Sequence, residues 1–204
     1  MNIYSRLIFP TLIDRVMSGD DFINYRRQTL ASAFGEVLEI GFGTGLNLPY
    51  YPANRVQSIS TIDINPGMKK LAQKRIDASN INVNFQVING EQLPMADATF
   101  DTVVSTWTLC SIKNVELAIA EVYRVLKPGG KFLFIEHGLS NEPAIQKWQH
   151  RLNPIQQIIA DGCHLDRDIK NLISHQFTNL AIEEFYTPNK PRIGSYFYQG
   201  VATK

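Results

Sequence analysis

Two amphipathic stretches open the chain. Apolar residues recur at three- and four-residue intervals between positions 3 and 17, which is the spacing of one face of an α-helix. Pro10 lies inside this stretch and is expected to kink the helix, because proline has no amide hydrogen to donate. The pattern predicts a second helix over residues 22–34.

From Glu36 onward the chain changes to short apolar runs, which are typical of buried strands. These runs are VLEI, directly after Glu36, and residues 57–64, 83–88, 100–106 and 131–137. Helical stretches at 66–78 and 115–126 separate them. Because a parallel crossover usually contains a helix, this alternation predicts a doubly wound α/β fold with a mostly parallel sheet.

The remaining segments refine this fold. Residues 127–130, Lys-Pro-Gly-Gly, are expected to end a helix and turn the chain into the next strand. Residues 143–175 are polar and helix-like, and two late apolar runs, 180–186 and 195–203, are joined by a short Pro-Asn-Lys-Pro turn. The sequence therefore predicts an antiparallel C-terminal hairpin at the edge of a seven-stranded sheet.

Composition narrows the class of protein. Twenty Lys and Arg against nineteen Asp and Glu give a formal net charge of +1, so nothing favours a nucleic-acid partner. The cysteines, Cys110 and Cys163, are far apart and show no metal-ligand spacing, so neither a disulfide nor a metal is expected. Without a signal-peptide pattern or a long apolar run, the sequence favours a soluble cytoplasmic protein.

Glycines mark the end of the first strand. Gly41, Gly43 and Gly45 are expected to join this strand to a helix and to let the backbone approach a ligand closely. Leu46 stands where the dinucleotide fingerprint requires a third small residue. The pattern therefore argues against binding of a nicotinamide dinucleotide. Glu39, two residues before the first glycine, suits a ligand whose nearest group is cationic.

Polar residues end the next two strands. Asp63 follows Gly41 by 22 positions, where an acid in a doubly wound sheet can accept both ribose hydroxyls. The alternative is a helix cap, because the next residues are Ile-Asn-Pro. Asn89 and Gly90 close the third strand, where the far end of a nucleoside is expected.

Four segments resemble the successive motifs of class I S-adenosylmethionine-dependent methyltransferases. They are VLEIGFGTG, TIDINPGM, INGEQLPMADATFDTVVS and EVYRVLKPGGKFLFIEH. The resemblance implies S-adenosylmethionine as cofactor, with the glycine turn and Glu39 at its methionine part and Asp63 at its ribose. It also implies that the other cofactor contacts are Ile64, Met68, Asn89, Gly90 and Thr106. Asn89 departs from the family, which often has Asp there.

A narrower likeness extends through the C-terminal third. TLCSIKN, FIEHG, WQHRLNP and ADGCHLDRD resemble the methyltransferase-like thiol S-methyltransferases, and more loosely the quinone and phosphatidylethanolamine methyltransferases. We therefore expect a single domain, 1–204, with an N-terminal helical lid (1–35), a cofactor-binding core (36–137) and substrate-side helices with the hairpin (138–204). Since the thiol enzymes are membrane-associated, residues 1–17 could contact a membrane peripherally.

His137 is the candidate base. It ends a strand at the carboxyl edge, and an imidazole titrates in the range useful for deprotonating a thiol. Asp161 and His164 could orient His137 or take up the proton, although capping roles are equally consistent with the sequence. Trp107, Leu109 and Cys163 are expected to line an acceptor pocket, with core packing as the alternative.

The favoured hypothesis is methyl transfer to a small, fairly apolar acceptor such as an alkyl thiol. Amine headgroups and quinols stay open, because each needs a mainly apolar pocket and at most one base. A nicotinamide-dependent oxidoreductase and a cofactor-binding subunit without catalysis are the alternatives from other classes. The sequence does not define the oligomeric state.

Overall fold

The computed structural model describes residues 3–204, so the first two residues of the expected lid and membrane-contact region lie outside the described part. A π-helical turn (Tyr4–Ile8) leads into α1 (Phe9–Met17), and α2 (Asp20–Leu30) follows. Pro10 occupies the first turn of α1. The predicted kink is thus a change from a π-helical turn to an α-helix just before the proline. In the first turn of a helix the missing amide donor of proline costs least.

A seven-stranded sheet forms the centre of the molecule. Its strands are β1 (Gly35–Ile40), β2 (Val56–Asp63), β3 (Asn82–Val87), β4 (Phe100–Thr106), β5 (Leu126–His137), β6 (Asn179–Tyr186) and β7 (Tyr196–Thr203). Their spatial order is β3-β2-β1-β4-β5-β7-β6. The first five are parallel, and β7 pairs antiparallel with both β5 and β6, which confirms the predicted fold and its edge hairpin.

Helices cover both faces of the sheet. The connecting helices are α3 (Lys69–Asp77), α4 (Val115–Val125), α5 (Pro143–Ile159) and α6 (Ile169–Ser174). One apolar cluster contains Ile119 of α4 and Ile173 of α6, and the other contains Leu30 of α2 and Ala72 of α3. Both clusters include buried strand residues, so the sheet is held between two apolar layers.

Three predictions about the elements were wrong. No α-helix follows the glycine turn: the chain makes only a 3-10 turn (Leu48–Tyr50), and Pro49 and Pro52 provide no amide hydrogens there. Residues 127–130 form a bulge inside β5, because Leu126 already pairs with Phe100 and the ladder resumes at Lys131. The polar region 143–175 is two helices, α5 and α6, separated by the loop 160–168.

Candidate functional site

A cavity of about 960 Å³ opens at the carboxyl edge of the parallel strands. Open α/β sheets bind ligands at this edge, next to the point where the strand order reverses. Most sequence-predicted site residues line the cavity: Gly41, Gly43, Asp63, Ile64, Met68, Asn89, Gly90, Thr106, Trp107, His137, Asp161 and Cys163. The lining does not include Glu39, Gly45, Leu109 or His164.

The N-terminal helices form one side of the cavity. Phe9, Asp14 and Phe22 lie on its wall. Asp14 accepts a hydrogen bond from the hydroxyl of Thr44 at 2.5 Å and pairs with Arg75 at 2.9 Å. These contacts attach α1 to the glycine turn, so the described part of the predicted lid lies over the cavity.

The three glycines of the turn have different roles. All have positive φ, and a Cβ at Gly41 would lie 2.1 Å from the side chain of Thr108. Gly43 has open space around its Cα and donates its amide to Asp63 Oδ2 at 2.7 Å. Gly45 packs against the ring of Phe42 and does not line the cavity. Gly41 and Gly43 therefore present backbone to the cavity, whereas Gly45 shapes the turn.

Asp63 is held in one orientation by backbone donors. Its Oδ2 accepts from Gly43 and its Oδ1 from the amide of Asn65, each at 2.7 Å. Burial raises the pKa of Asp63 to about 6, although these two hydrogen bonds lower it. Each carboxylate oxygen has a further lone pair, so the group can still accept hydrogen bonds from a ligand.

Glu39 lies behind the glycine turn and not on the cavity wall, so the expected support of a ligand ammonium would act through a neighbouring residue. Its carboxylate accepts from Asn47 Nδ2 at 2.8 Å and from the hydroxyl of Tyr51 at 2.6 Å. Burial raises the pKa of Glu39 to about 7. Asn47 does line the cavity, and its buried Oδ1 has no hydrogen-bond partner in the described structure. Glu39 therefore orients Asn47, which sequence reasoning missed.

Arg26 is a second cavity residue that the sequence pattern did not predict. This arginine of α2 is 4% exposed, lines the cavity, and donates from Nη1 to the carbonyl of Met17 at 2.8 Å. Its guanidinium lies 4.9 Å from the ring centre of Trp107, and its buried Nε has no partner among the described residues. Burial lowers the pKa of Arg26 to about 10. One signal was available: Arg26 is four residues from both Phe22 and Leu30, on the apolar face of the predicted helix.

Residues that follow β2 and β3 also line the cavity. Ile64 is 61% exposed beside buried Met68, so a flat apolar group could cover it. Asn89 uses its Oδ1 to accept from the amide of Glu91 at 3.0 Å, which leaves its amide nitrogen available. The hydroxyl of Thr106, on the cavity wall, accepts from Asn47 Nδ2 at 3.0 Å.

A cluster of two thiols and an imidazole also lines the cavity. Cys163 Sγ lies 2.6 Å from His137 Nε2 and 3.4 Å from Cys110 Sγ. The hydrogen bond from Cys110 and the neighbouring His137 outweigh burial and lower the pKa of Cys163 to about 4. Burial lowers the pKa of His137, but the Cys163 pairing outweighs it and the net direction is upward. His137 is thus already paired with a thiol of its own chain.

The structure corrects three expected roles around His137. Asp161 accepts from the hydroxyl of Ser5 at 2.7 Å, and its charge contributes to the raised pKa of Asp63, so it lies toward the Asp63 side. The ring of His164 faces Gln157 at 3.2 Å, outside the cavity wall. Leu109 is fully buried in the core. The loop 160–168 brings Cys163, rather than either polar neighbour, to His137.

Comparison with known proteins identifies the family. The profile of the methyltransferase domain matches residues 38–134. Human thiol S-methyltransferase TMT1B is 35% identical over 169 residues, covering 79% of this chain and 68% of that protein. The chain belongs to the methyltransferase family. Human thiol S-methyltransferase TMT1A is 38% identical over 158 residues, which cover 74% of this chain but 64% of that protein.

A solved structure agrees with the fold. A SAM-dependent methyltransferase from Thermotoga maritima superposes with a TM-score of 0.71 at 20% identity, covering 99% of this chain and 98% of that one. A methyltransferase domain agrees with the S-adenosylmethionine that the sequence motifs imply as cofactor. The family assignment also decides against the nicotinamide-dependent oxidoreductase that the strand and glycine turn left open.

The polar groups of the cavity fit this cofactor. Asn47 Oδ1 and Arg26 Nε are buried, unpartnered in the described structure, and opposite in hydrogen-bond character. An acceptor and a cationic donor on the wall of one cavity match the ammonium and carboxylate of a methionine moiety. Asp63, fixed by two amides, matches a ribose diol. When bound, the cofactor supplies a methyl group on a positively charged sulfur, and the sulfur is the leaving group when a nucleophile bonds to the methyl carbon.

Proposed function

We propose that this methyltransferase transfers the methyl group of S-adenosylmethionine to a small thiol. The observation that carries the proposal is one continuous cavity that is lined by Asp63, Asn47 and Arg26 and also by the Cys110–His137–Cys163 cluster. Its volume of about 960 Å³ is near the upper end of the ~300–1,000 Å³ range of ligand pockets. The cavity therefore has room for an acceptor beside the cofactor.

Aromatic side chains form the acceptor side of the cavity. Phe22 meets the ring of Trp107 edge to face, with 5.2 Å between ring centres, and Phe197 lies 5.9 Å from the same ring. All three line the cavity. Such a wall binds an alkyl chain by excluding water and holds the nucleophile close to the methyl group, which is the main contribution a protein makes to an in-line displacement. The similarity to TMT1A and TMT1B supports a thiol as the nucleophile.

Matched acceptors test this proposal. The purified chain is incubated with methyl-labelled S-adenosylmethionine and an alkyl thiol, the amine of the same chain length, or a small quinol. We expect label in the thioether at a rate at least ~100-fold above either alternative. Transfer to the amine or the quinol without transfer to the thiol would overturn the thiol assignment and leave methyl transfer in place.

We further propose that the N-terminal helices rest on a lipid surface. Ile3, Leu7 and Ile158 are 76%, 68% and 77% exposed, and the hydroxyl of Tyr4 donates to the carbonyl of Ile159 at 2.7 Å, so the two apolar segments adjoin. Apolar side chains beside the cavity would let an apolar thiol enter from the membrane. In the part of the chain that the structure describes, no helix is long and apolar enough to cross a bilayer.

Vesicle flotation tests the lipid contact. Leu7→Glu and Ile158→Glu should each reduce binding to anionic vesicles by about 10-fold or more, because burial of one such side chain contributes ~1.5–3 kcal/mol. Leu117→Glu is the matched control, since Leu117 is 51% exposed on α4, away from the cavity wall. Equal flotation of all three variants and the parent chain would contradict this contact.

A further inference from the structure

The thiol and imidazole cluster on the cavity wall has the composition of a metal site. The donor atoms of Cys110, His137 and Cys163 all lie within 4.8 Å of one another. They come from three separate segments: the turn after β4, the last residue of β5 and the loop after α5. The sequence spacing of the ligands therefore gave no sign of a metal site. The expectation that no metal is bound relied on that spacing, which does not predict which side chains meet in the fold.

The geometry points to a zinc site formed by Cys110, His137 and Cys163, with its fourth position open to the cavity, and we propose that a thiol acceptor binds there. The role of the fourth position rests on the proposed thiol methylation. The existence of the metal site does not depend on that function.

The three donor distances lie within about 1.3 Å of those around a tetrahedral ion. With Zn–S near 2.3 Å and Zn–N near 2.0–2.1 Å, neighbouring donor atoms lie roughly 3.5–3.8 Å apart. The two sulfurs are at 3.4 Å, so they need almost no movement. His137 Nε2 and Cys163 Sγ, at 2.6 Å, must separate by about 1 Å, which a change in side-chain torsion can supply.

Charge near the cluster suits a bound cation. Two thiolates and an imidazole leave an ion of charge +2 neutral, and the buried carboxylate of Glu136 lies within electrostatic range of both His137 and Cys110. One oxygen of Glu136 accepts from the hydroxyl of Ser105 at 2.7 Å, so the carboxylate is fixed. Arg167 opposes it with one positive charge in range of the same cluster.

Three protein ligands with an open fourth position distinguish catalytic from structural zinc sites. The described residues supply no fourth His, Cys, Asp or Glu to the group, and all three ligands line the cavity. A thiol that coordinates the ion loses its proton to solvent and becomes a thiolate. Its sulfur then forms the new bond to the methyl carbon while the bond from that carbon to the sulfonium breaks, and the electron pair remains on the cofactor's sulfur.

This arrangement changes the role of His137. Its imidazole would be a metal ligand and the metal would generate the thiolate, so the base expected from the sequence is not needed. The neutral thioether product is a weaker ligand than a thiolate, which favours its release.

Metal titration of the reduced, metal-stripped chain tests the site without cofactor or acceptor. We expect one Zn²⁺ per chain with a Kd below about 1 μM in competition with a chelator, and Co²⁺ should give tetrahedral and thiolate charge-transfer absorption. Zinc binding should weaken by more than ~100-fold in each of three variants, Cys110→Ser, Cys163→Ser and His137→Ala. Removal of a residue that only hydrogen-bonds to a metal ligand costs less, about 10- to 100-fold. His164→Ala is the control, because that ring lies in the same loop but outside the cluster.

Absence of Zn²⁺ binding below 100 μM by the folded parent chain, or unchanged binding in the three ligand variants, would overturn the inference. If a ligand variant does not fold, the Co²⁺ spectrum of the parent chain decides, since it must show thiolate ligation. Methyl transfer is measured separately. Zinc binding without thiol methylation would contradict the proposed function alone, whereas full thiol methylation by metal-free chain would contradict the zinc inference alone.

Discussion

Removal of the Asp63 carboxylate should weaken cofactor binding far more than it weakens the fold. A ribose diol can donate two hydrogen bonds to this carboxylate, and hydrogen bonds to charged groups contribute about 1.5–3 kcal/mol. Asp63→Ala should therefore raise the Kd for S-adenosylhomocysteine by about 10- to 150-fold, as measured by calorimetry at pH 7.5.

The structure also sets the effect on stability. The rise in the pKa of Asp63 from 3.8 to about 6 means that the buried, ionised carboxylate costs roughly 3 kcal/mol at neutral pH, at 1.36 kcal/mol per pKa unit. Its removal relieves that cost but leaves the amides of Gly43 and Asn65 without their acceptor, at about 1–3 kcal/mol each. The two effects offset, so the variant should stay folded.

Asp101→Ala is the matched control. Asp101 also accepts from a backbone amide, that of Glu36 at 2.9 Å, and pairs with Lys127, but it lies at the opposite, amino end of the strands. This variant should lose stability in urea and keep the affinity of the parent chain for the nucleoside. An Asp63→Ala protein with unchanged affinity, or an equal loss in both variants, would refute the ribose assignment.

Two further predictions concern the methionine end of the cavity and the effect of pH. Arg26→Ala should weaken S-adenosylhomocysteine binding by about 10-fold or more in calorimetry, whereas Arg27→Ala, on the exposed side of the same helix, should not. Burial raises the pKa of Glu39 to about 7 and that of Asp63 to about 6. Their contributions to the stability of the free protein are therefore complete below pH 4 and are lost as the pH rises through 6–7. A ribose diol donates to the ionised carboxylate of Asp63, and an ammonium held by Asn47 favours the ionised carboxylate of Glu39 behind it. Cofactor affinity should therefore rise with pH across the same window, and binding should release protons, which calorimetry in buffers of different ionisation enthalpy measures. A flat profile from pH 5.5 to 8 would count against both groups.

The sequence predicted what depends on local pattern and chain order. Alternating strands and helices gave the doubly wound sheet, and Asp63 was placed at the cavity because the ends of neighbouring parallel strands meet at one edge. The hairpin of β6 and β7 was equally local, since a short turn joins two apolar runs.

Contacts between distant segments were not predictable in this way. The turn of Asn47 toward the cavity depends on Glu39 and Tyr51 meeting behind the glycine loop, which no spacing reveals. Cys110 and Cys163 are 53 positions apart, and their contact depends on how the loop 160–168 folds back over β4 and β5. The absence of a helix after the glycine turn did have a local signal, because Pro49 and Pro52 follow the turn. The expected order of strand, turn and helix outweighed that signal in the prediction.

The most direct measurement is a crystal structure of the chain grown with S-adenosylhomocysteine. We predict the sugar on Asp63, the amino-acid end between Asn47 and Arg26, and the sulfur directed along the aromatic wall toward Cys163. A nucleoside bound elsewhere, or one whose sulfur faces away from the thiol cluster, would contradict the account.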